Sequence, residues 1–108
     1  MASIQFRLKS VRRHMQKHFP NCPEIHCGEI VRRVADRVWE DTTIGGAVGI
    51  IVTNYVRHRL TDYEMLMKRH GLTREEARIA EADAVSDIVS SWQPLLGLLQ
   101  GPATGGLI

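Results

Sequence analysis

Thr42-Thr43-Ile44-Gly45-Gly46-Ala47-Val48-Gly49-Ile50-Ile51-Val52-Thr53-Asn54-Tyr55-Val56-Arg57-His58-Arg59-Leu60 is the stretch that decides the fold. Its uncharged part, Thr42 to Val56, is 15 residues long, short of the roughly 18 to 20 apolar residues a membrane span requires. The β-branched run Ile50 to Thr53 would suit a strand, but about 16 residues without an internal turn signal favour a helix. Thr42 or Thr43 can cap its start. Wound as a helix, the segment puts Ile44, Ala47, Val48, Ile50, Ile51, Val52, Tyr55 and Val56 around nearly its whole circumference, which marks it as the central element. Gly45 and Gly49, one turn apart, would leave a groove for a neighbouring helix.

Amphipathic segments flank this rod. Upstream, Ile4, Leu8, Val11 and Met15 recur at the helical period, predicting a first helix that runs to about His18. Pro20 and Pro23 interrupt it. Pro23 suits the opening turn of a second helix, expected to reach Asp41, with Cys27, Ile30, Val31, Val34, Ala35 and Val38 on one stripe and Trp39 at its edge. Downstream, Thr61 with Glu64 and Thr73 with Glu76 have capping-box spacing. Gly71 fits the left-handed end of a short fourth helix. A fifth is expected from Arg74 to about Trp92, where Pro94 prevents continuation. The fold expected is therefore all-α: a compact bundle of about five helices around a buried central helix at about 44–60. One helical domain would span 1–93, followed by a leucine- and glycine-rich tail over 94–108.

At 108 residues, 44% hydrophobic and 24% charged, the chain has the size and composition of one globular domain. A net charge of +2 names no partner by itself. Its distribution is uneven: residues 1–20 hold five bases and no acid, and residues 74–108 hold two bases and five acids. Two cysteines are too few for a disulfide scaffold, and no secretory leader is read at the amino end, so a reduced, cytoplasmic setting is expected.

Three constellations could carry chemistry. Arg7, Arg12, Arg13 and Lys17 on the first helix could neutralise phosphates, with Arg57 and Arg59 assisting, unless they pair with acids of the same molecule. With only six Phe, Tyr and Trp residues in the chain, base stacking is not expected, and contact would be directed at the nucleic-acid backbone. His14, His18, Cys22, His26 and Cys27 are all potential zinc ligands, but three residues between the His pair and Cys22 do not match a finger. His58, Asp62 and Tyr63, beside Arg57 and Arg59, form the densest polar cluster and could supply an acid/base pair with an anion clamp. No nucleophile, glycine-rich phosphate loop or serine elbow accompanies it. The simpler expectation has Thr61 capping, the Tyr63 hydroxyl bonded, and Arg57 or His58 satisfying helix-end carbonyls. Leu95, Leu96, Leu98 and Leu99 complete the core if they fold back, or form a docking or self-association patch.

The series Arg57-His58, Thr61-Asp62-Tyr63 and Glu76-Ala77-Arg78 resembles the domain of unknown function 2293 (DUF2293) family, over about Val11 to Trp92. The resemblance implies the domain limits and supplies no catalytic residue. The resemblance implies a basic Gly/Arg segment between the second and third helices, as in many members, where this chain has Thr42-Thr43-Ile44-Gly45-Gly46.

The leading functional expectation is a non-enzymatic helical module, without cofactor, that binds nucleic acid or a nucleoprotein complex through the basic first helix. A second is a protein-binding adaptor or inhibitor, or a homodimer, acting through the leucine-rich tail and the polarised charged faces. A third is an enzyme built on His58, Asp62 and Tyr63, or on zinc held by His14, His18, Cys22 and Cys27. No membrane contact is expected.

Overall fold

The computed structural model describes residues 3–94. They form six helices and one minimal strand pair: β1 (Ser3–Ile4), α1 (Leu8–His18), α2 (Glu24–Ala35), β2 (Trp39–Glu40), α3 (Ile44–Leu60), α4 (Tyr63–His70), α5 (Arg74–Ala80) and α6 (Ala82–Trp92). The architecture is an all-α bundle. α3 lies at its centre, in contact with α1, α2, α4 and α6. Thr43 caps α3, its hydroxyl accepting from the Gly46 N–H at 3.0 Å. One core joins Val11 and Met15 of α1, Ile30, Val31 and Val34 of α2, Val48, Val52 and Val56 of α3, and Val85 and Trp92 of α6. Each fully buried aliphatic side chain contributes about 1.5–3 kcal/mol, which is why the apolar stripes outweigh the β-branched residues' weak helix preference.

The first helix is shorter than its hydrophobic period suggests. Ile4 belongs to β1, paired antiparallel with β2 in the register Ser3 to Glu40 and Ile4 to Trp39. The Gln5 amide donates to the Ala35 carbonyl at 2.8 Å. These bonds hold the chain extended until Arg7, and Leu8, at the helix start, is 58% exposed. The second helix likewise stops at Ala35 rather than Asp41. The Trp39 indole N–H donates to the Val34 carbonyl at 3.0 Å, so two side chains satisfy acceptors that a longer helix would have bonded itself. The Arg37 guanidinium lies 4.2 Å from the Trp39 ring centroid.

Downstream, only one of the two capping boxes forms. Thr73 accepts from the Glu76 N–H while the Glu76 carboxylate accepts from the Thr73 N–H. At the other, the Thr61 hydroxyl turns back to donate to the Arg57 carbonyl, and Glu64 is drawn to His58 instead. Gly71 takes φ +70°, and its N–H and that of Leu72 both return to the Leu66 carbonyl. The expected fifth helix is two helices that meet at Glu81. No proline or glycine lies there; the break lets α5 pack on α4 while α6 packs on α3.

The circumference of α3 is not fully covered. Ala47, Val48, Ile51, Val52, Tyr55 and Val56 are buried, whereas Gly45, Gly46 and Asn54 are exposed and Ile50 is 46% exposed. Among the described residues, α1 comes up beside Gly45 through His14, and no helix packs against Gly49. A Cβ at Gly45 would lie 3.6 Å from His14 Cε1, and one at Gly49 would meet nothing within 4 Å.

Candidate functional site

The open face of α3 forms the floor of a trough. At one end, His14 and His18 of α1, their ring centroids 4.3 Å apart, line a hollow of about 400 Å³ with Gly45 and Gly49. The same two histidines share a second, shallower hollow with Arg13 and Lys17. Along α3 the depression continues over Gly46, Ile50, Thr53 and Asn54 to Arg57 and Arg78. Ala82, Val85, Ser86 and Val89 of α6 wall it beside Thr53. It ends in a hollow of about 590 Å³ enclosed by α3, α4 and α5, where Arg57, His58, Tyr63, Lys68, Arg74 and Arg78 converge. From Gly45 to Arg57 the trough follows α3 for about 18 Å, at 1.5 Å per residue.

Charge along this trough is of one sign with one exception. Glu64 is the sole carboxylate lining it, and it is engaged by His58, with Nδ1 to Oε2 at 2.9 Å. Arg13, Lys17, Lys68, Arg74 and Arg78 form no ion pair among the described residues. Away from the trough lining, Glu29 of α2 bonds both Arg32 and Arg33. The hydrogen bond from Arg33, and then the nearby Arg32, hold Glu29 below the usual carboxylate range. At the α1 end, burial first and then the charges of His18 and Lys17 lower the His14 pKa.

Not every residue expected in a basic face joins it. Arg12 is tied to Glu24 of α2 at 3.1 Å, the internal pairing that the sequence left open. Arg7 stands exposed just before α1. Arg59 points away from Arg57: its guanidinium lies 5.7 Å from the Tyr55 ring centroid, with Arg33 at 5.4 Å from the same ring. Arg57 donates to Asn54 Oδ1 at 3.1 Å and lies 5.8 Å from the Tyr63 ring.

The polar cluster after α3 is arranged differently from its sequence reading. The carboxylate that meets His58 is Glu64; Asp62 stands exposed before α4 with no side-chain cap bond. Tyr63 is 2% exposed, its ring edge-on to His58 at 4.9 Å. Its hydroxyl bonds no protein group among the described residues, and it is not sealed from water either. Neither Arg57 nor His58 closes the end of α3, a task that falls to the Thr61 hydroxyl.

The suggested zinc ligands do not assemble. Among the described residues no three His, Cys, Asp or Glu side chains are placed to hold a metal ion. The Cys22 thiol faces the Pro23 carbonyl at 3.6 Å and is pushed up to about 12, chiefly by burial. Cys27 is buried in the core, which also raises its thiol. His26 bonds the Tyr55 hydroxyl through Nδ1 at 2.8 Å and stacks on Trp92. Leu95, Leu96, Leu98 and Leu99 lie outside the described residues. No helix among those described is long and apolar enough to cross a membrane.

Lys68, Arg74, Arg78 and Asn54 line the trough but were not among the candidate site residues read from the sequence, and Glu64 was read there only as a cap partner of Thr61. Arg74 and Arg78 lie one turn apart on α5, and that spacing was the available signal. The matching family model is that of an uncharacterized conserved protein, DUF2293, over residues 14–93, and the chain belongs to that family. No curated protein and no solved structure matches it.

Proposed function

We propose that this DUF2293 member is a small non-enzymatic module that binds the phosphate backbone of nucleic acid, alone or within a nucleoprotein complex, along the trough on α3. One observation carries the reading: a glycine floor bordered by unpaired bases at both ends, with a single, already engaged carboxylate. Glycines let a backbone approach closely, and bases spaced along about 18 Å match the rise of roughly five duplex base pairs at 3.4 Å each. The contact face differs from a simple basic first helix. Arg13 and Lys17 contribute to it, Arg12 is paired at the surface with Glu24, and Arg57, Lys68, Arg74 and Arg78 take the larger share.

Phosphate contacts of this kind position without reading sequence. If Arg13, Lys17, Arg57, Lys68, Arg74 and Arg78 all reach phosphates, log K should fall against log salt with a slope of about −5 for duplex. Titration of unrelated fluorescent duplexes across salt concentrations measures this. The double changes Arg13→Glu with Lys17→Glu, and Arg57→Gln with Arg78→Gln, should each flatten the slope by about 2 for every sequence tested. Absence of any binding by the unmodified protein at about 50 mM salt refutes the proposal.

A further inference from the structure

We infer that the hollow between α3, α4 and α5 is a phosphomonoester site, so that the trough takes a phosphorylated nucleic-acid end rather than only its continuous backbone. This deepens the backbone-binding reading and rests on it. Four cationic side chains, Arg57, Lys68, Arg74 and Arg78, line one hollow of about 590 Å³. Their only acidic neighbour there, Glu64, is taken up by His58. That is more positive charge than one internal phosphodiester, with its single negative charge, would neutralise. A phosphomonoester carries between one and a half and two negative charges near pH 7 and three acceptor oxygens.

Tyr63 supplies a second, independent observation. The side chain is 2% exposed, while its hydroxyl keeps access to water and bonds no protein group among the described residues. It belongs to a residue lining the hollow, so it is free to donate to an acceptor oxygen of a ligand there. Arg57 is already steadied by Asn54 and by the Tyr63 ring, so its guanidinium is partly ordered before a ligand arrives. Residues of three helices line the hollow, and the α3 trough leads into it.

The test uses the full chain and one oligonucleotide made with a 5′-phosphate, a 3′-phosphate or hydroxyl ends, together with a closed circle of the same length, and adds inorganic phosphate and a nucleoside monophosphate as competitors. A phosphorylated end should bind on the order of 10-fold tighter than the hydroxyl form, consistent with one or two extra charge-assisted hydrogen bonds. Tyr63→Phe, checked for an unchanged melting temperature, should remove that preference while leaving binding of the circle within about twofold; Arg74→Gln should weaken both, and the phosphorylated end several-fold more than the circle. Should either variant lose fold, the other carries the test. Competition by millimolar inorganic phosphate against the phosphorylated end alone would also support the site, and would assign it to the free anion as well. Equal binding of all four oligonucleotides overturns the end site but leaves backbone binding standing. Failure to bind any of them overturns both.

Discussion

Gly49→Ala should make this protein more stable, and by an amount the structure fixes. Gly49 lies in the interior of α3, and an added Cβ would meet no atom within 4 Å. The methyl therefore brings no clash, and the unfolded chain loses the extra freedom of glycine. Gly to Ala in a helix interior is worth about 0.8–1.0 kcal/mol, with a rise in Tm of roughly 4–8 °C per kcal/mol for a domain of this size. Two other glycines act as internal controls. At Gly46 the new Cβ would lie 3.3 Å from both Thr42 Cγ2 and the capping Thr43 Oγ1, so crowding of the cap should cancel most of the gain. At Gly71, with φ +70°, alanine should cost about 1 kcal/mol. Urea unfolding followed by circular dichroism measures all three. A loss of stability in Gly49→Ala would mean that something covers that face of α3, and the trough would not be open.

Two further outcomes follow from the titrating groups. With its thiol at about 12, Cys22 holds only about one part in ten thousand as thiolate at pH 8, and Cys27 is buried as well as raised. Both should react with iodoacetamide far more slowly in the folded protein than after denaturation; rapid labelling of Cys22 in the native state would contradict its raised thiol pKa. Folded His14 gives up its proton more readily than in the unfolded chain, whose value is near the ordinary 6.5. The unfolded state therefore binds more protons in that window, and stability present above it is lost as pH falls through the folded value. The Tm should decline between pH 7.5 and 5, and His14→Gln should make that decline shallower; an unchanged slope would remove His14 as its source.

Much of the helical order was legible because period, caps and terminators agree locally. The Thr73–Glu76 box, the left-handed Gly71, the Thr43 cap and the buried stripe of α2 depend on neighbours within one or two turns, and each stands as its residues suggest. Expectations broke where a distant group competed. Thr61 and Glu64 have the spacing of a capping box, yet His58 holds the carboxylate. The α2 stripe runs on to Val38, but the Trp39 indole and the Gln5 amide end the helix at Ala35. The continuous pattern from Arg74 to Trp92 hides a break because α5 and α6 pack on different helices.

By itself the sequence determined an all-α chain with α3 in its middle, and it marked Arg57, His58, Arg59, Thr61, Asp62 and Tyr63 as a polar cluster. Those features arise from local periodicity, backbone capping and closeness in sequence across the α3–α4 turn, which a linear reading contains. Only the tertiary structure decided that Arg78 and Arg74 of α5 and Lys68 of α4 join Arg57, that Arg59 two residues on does not, and that Arg12 pairs with Glu24. It also decided that, among the described residues, nothing packs over Gly49 of α3. Which charges remain free and which apolar faces are buried depends on how helices far apart in the chain pack together, and no spacing within a single segment encodes that.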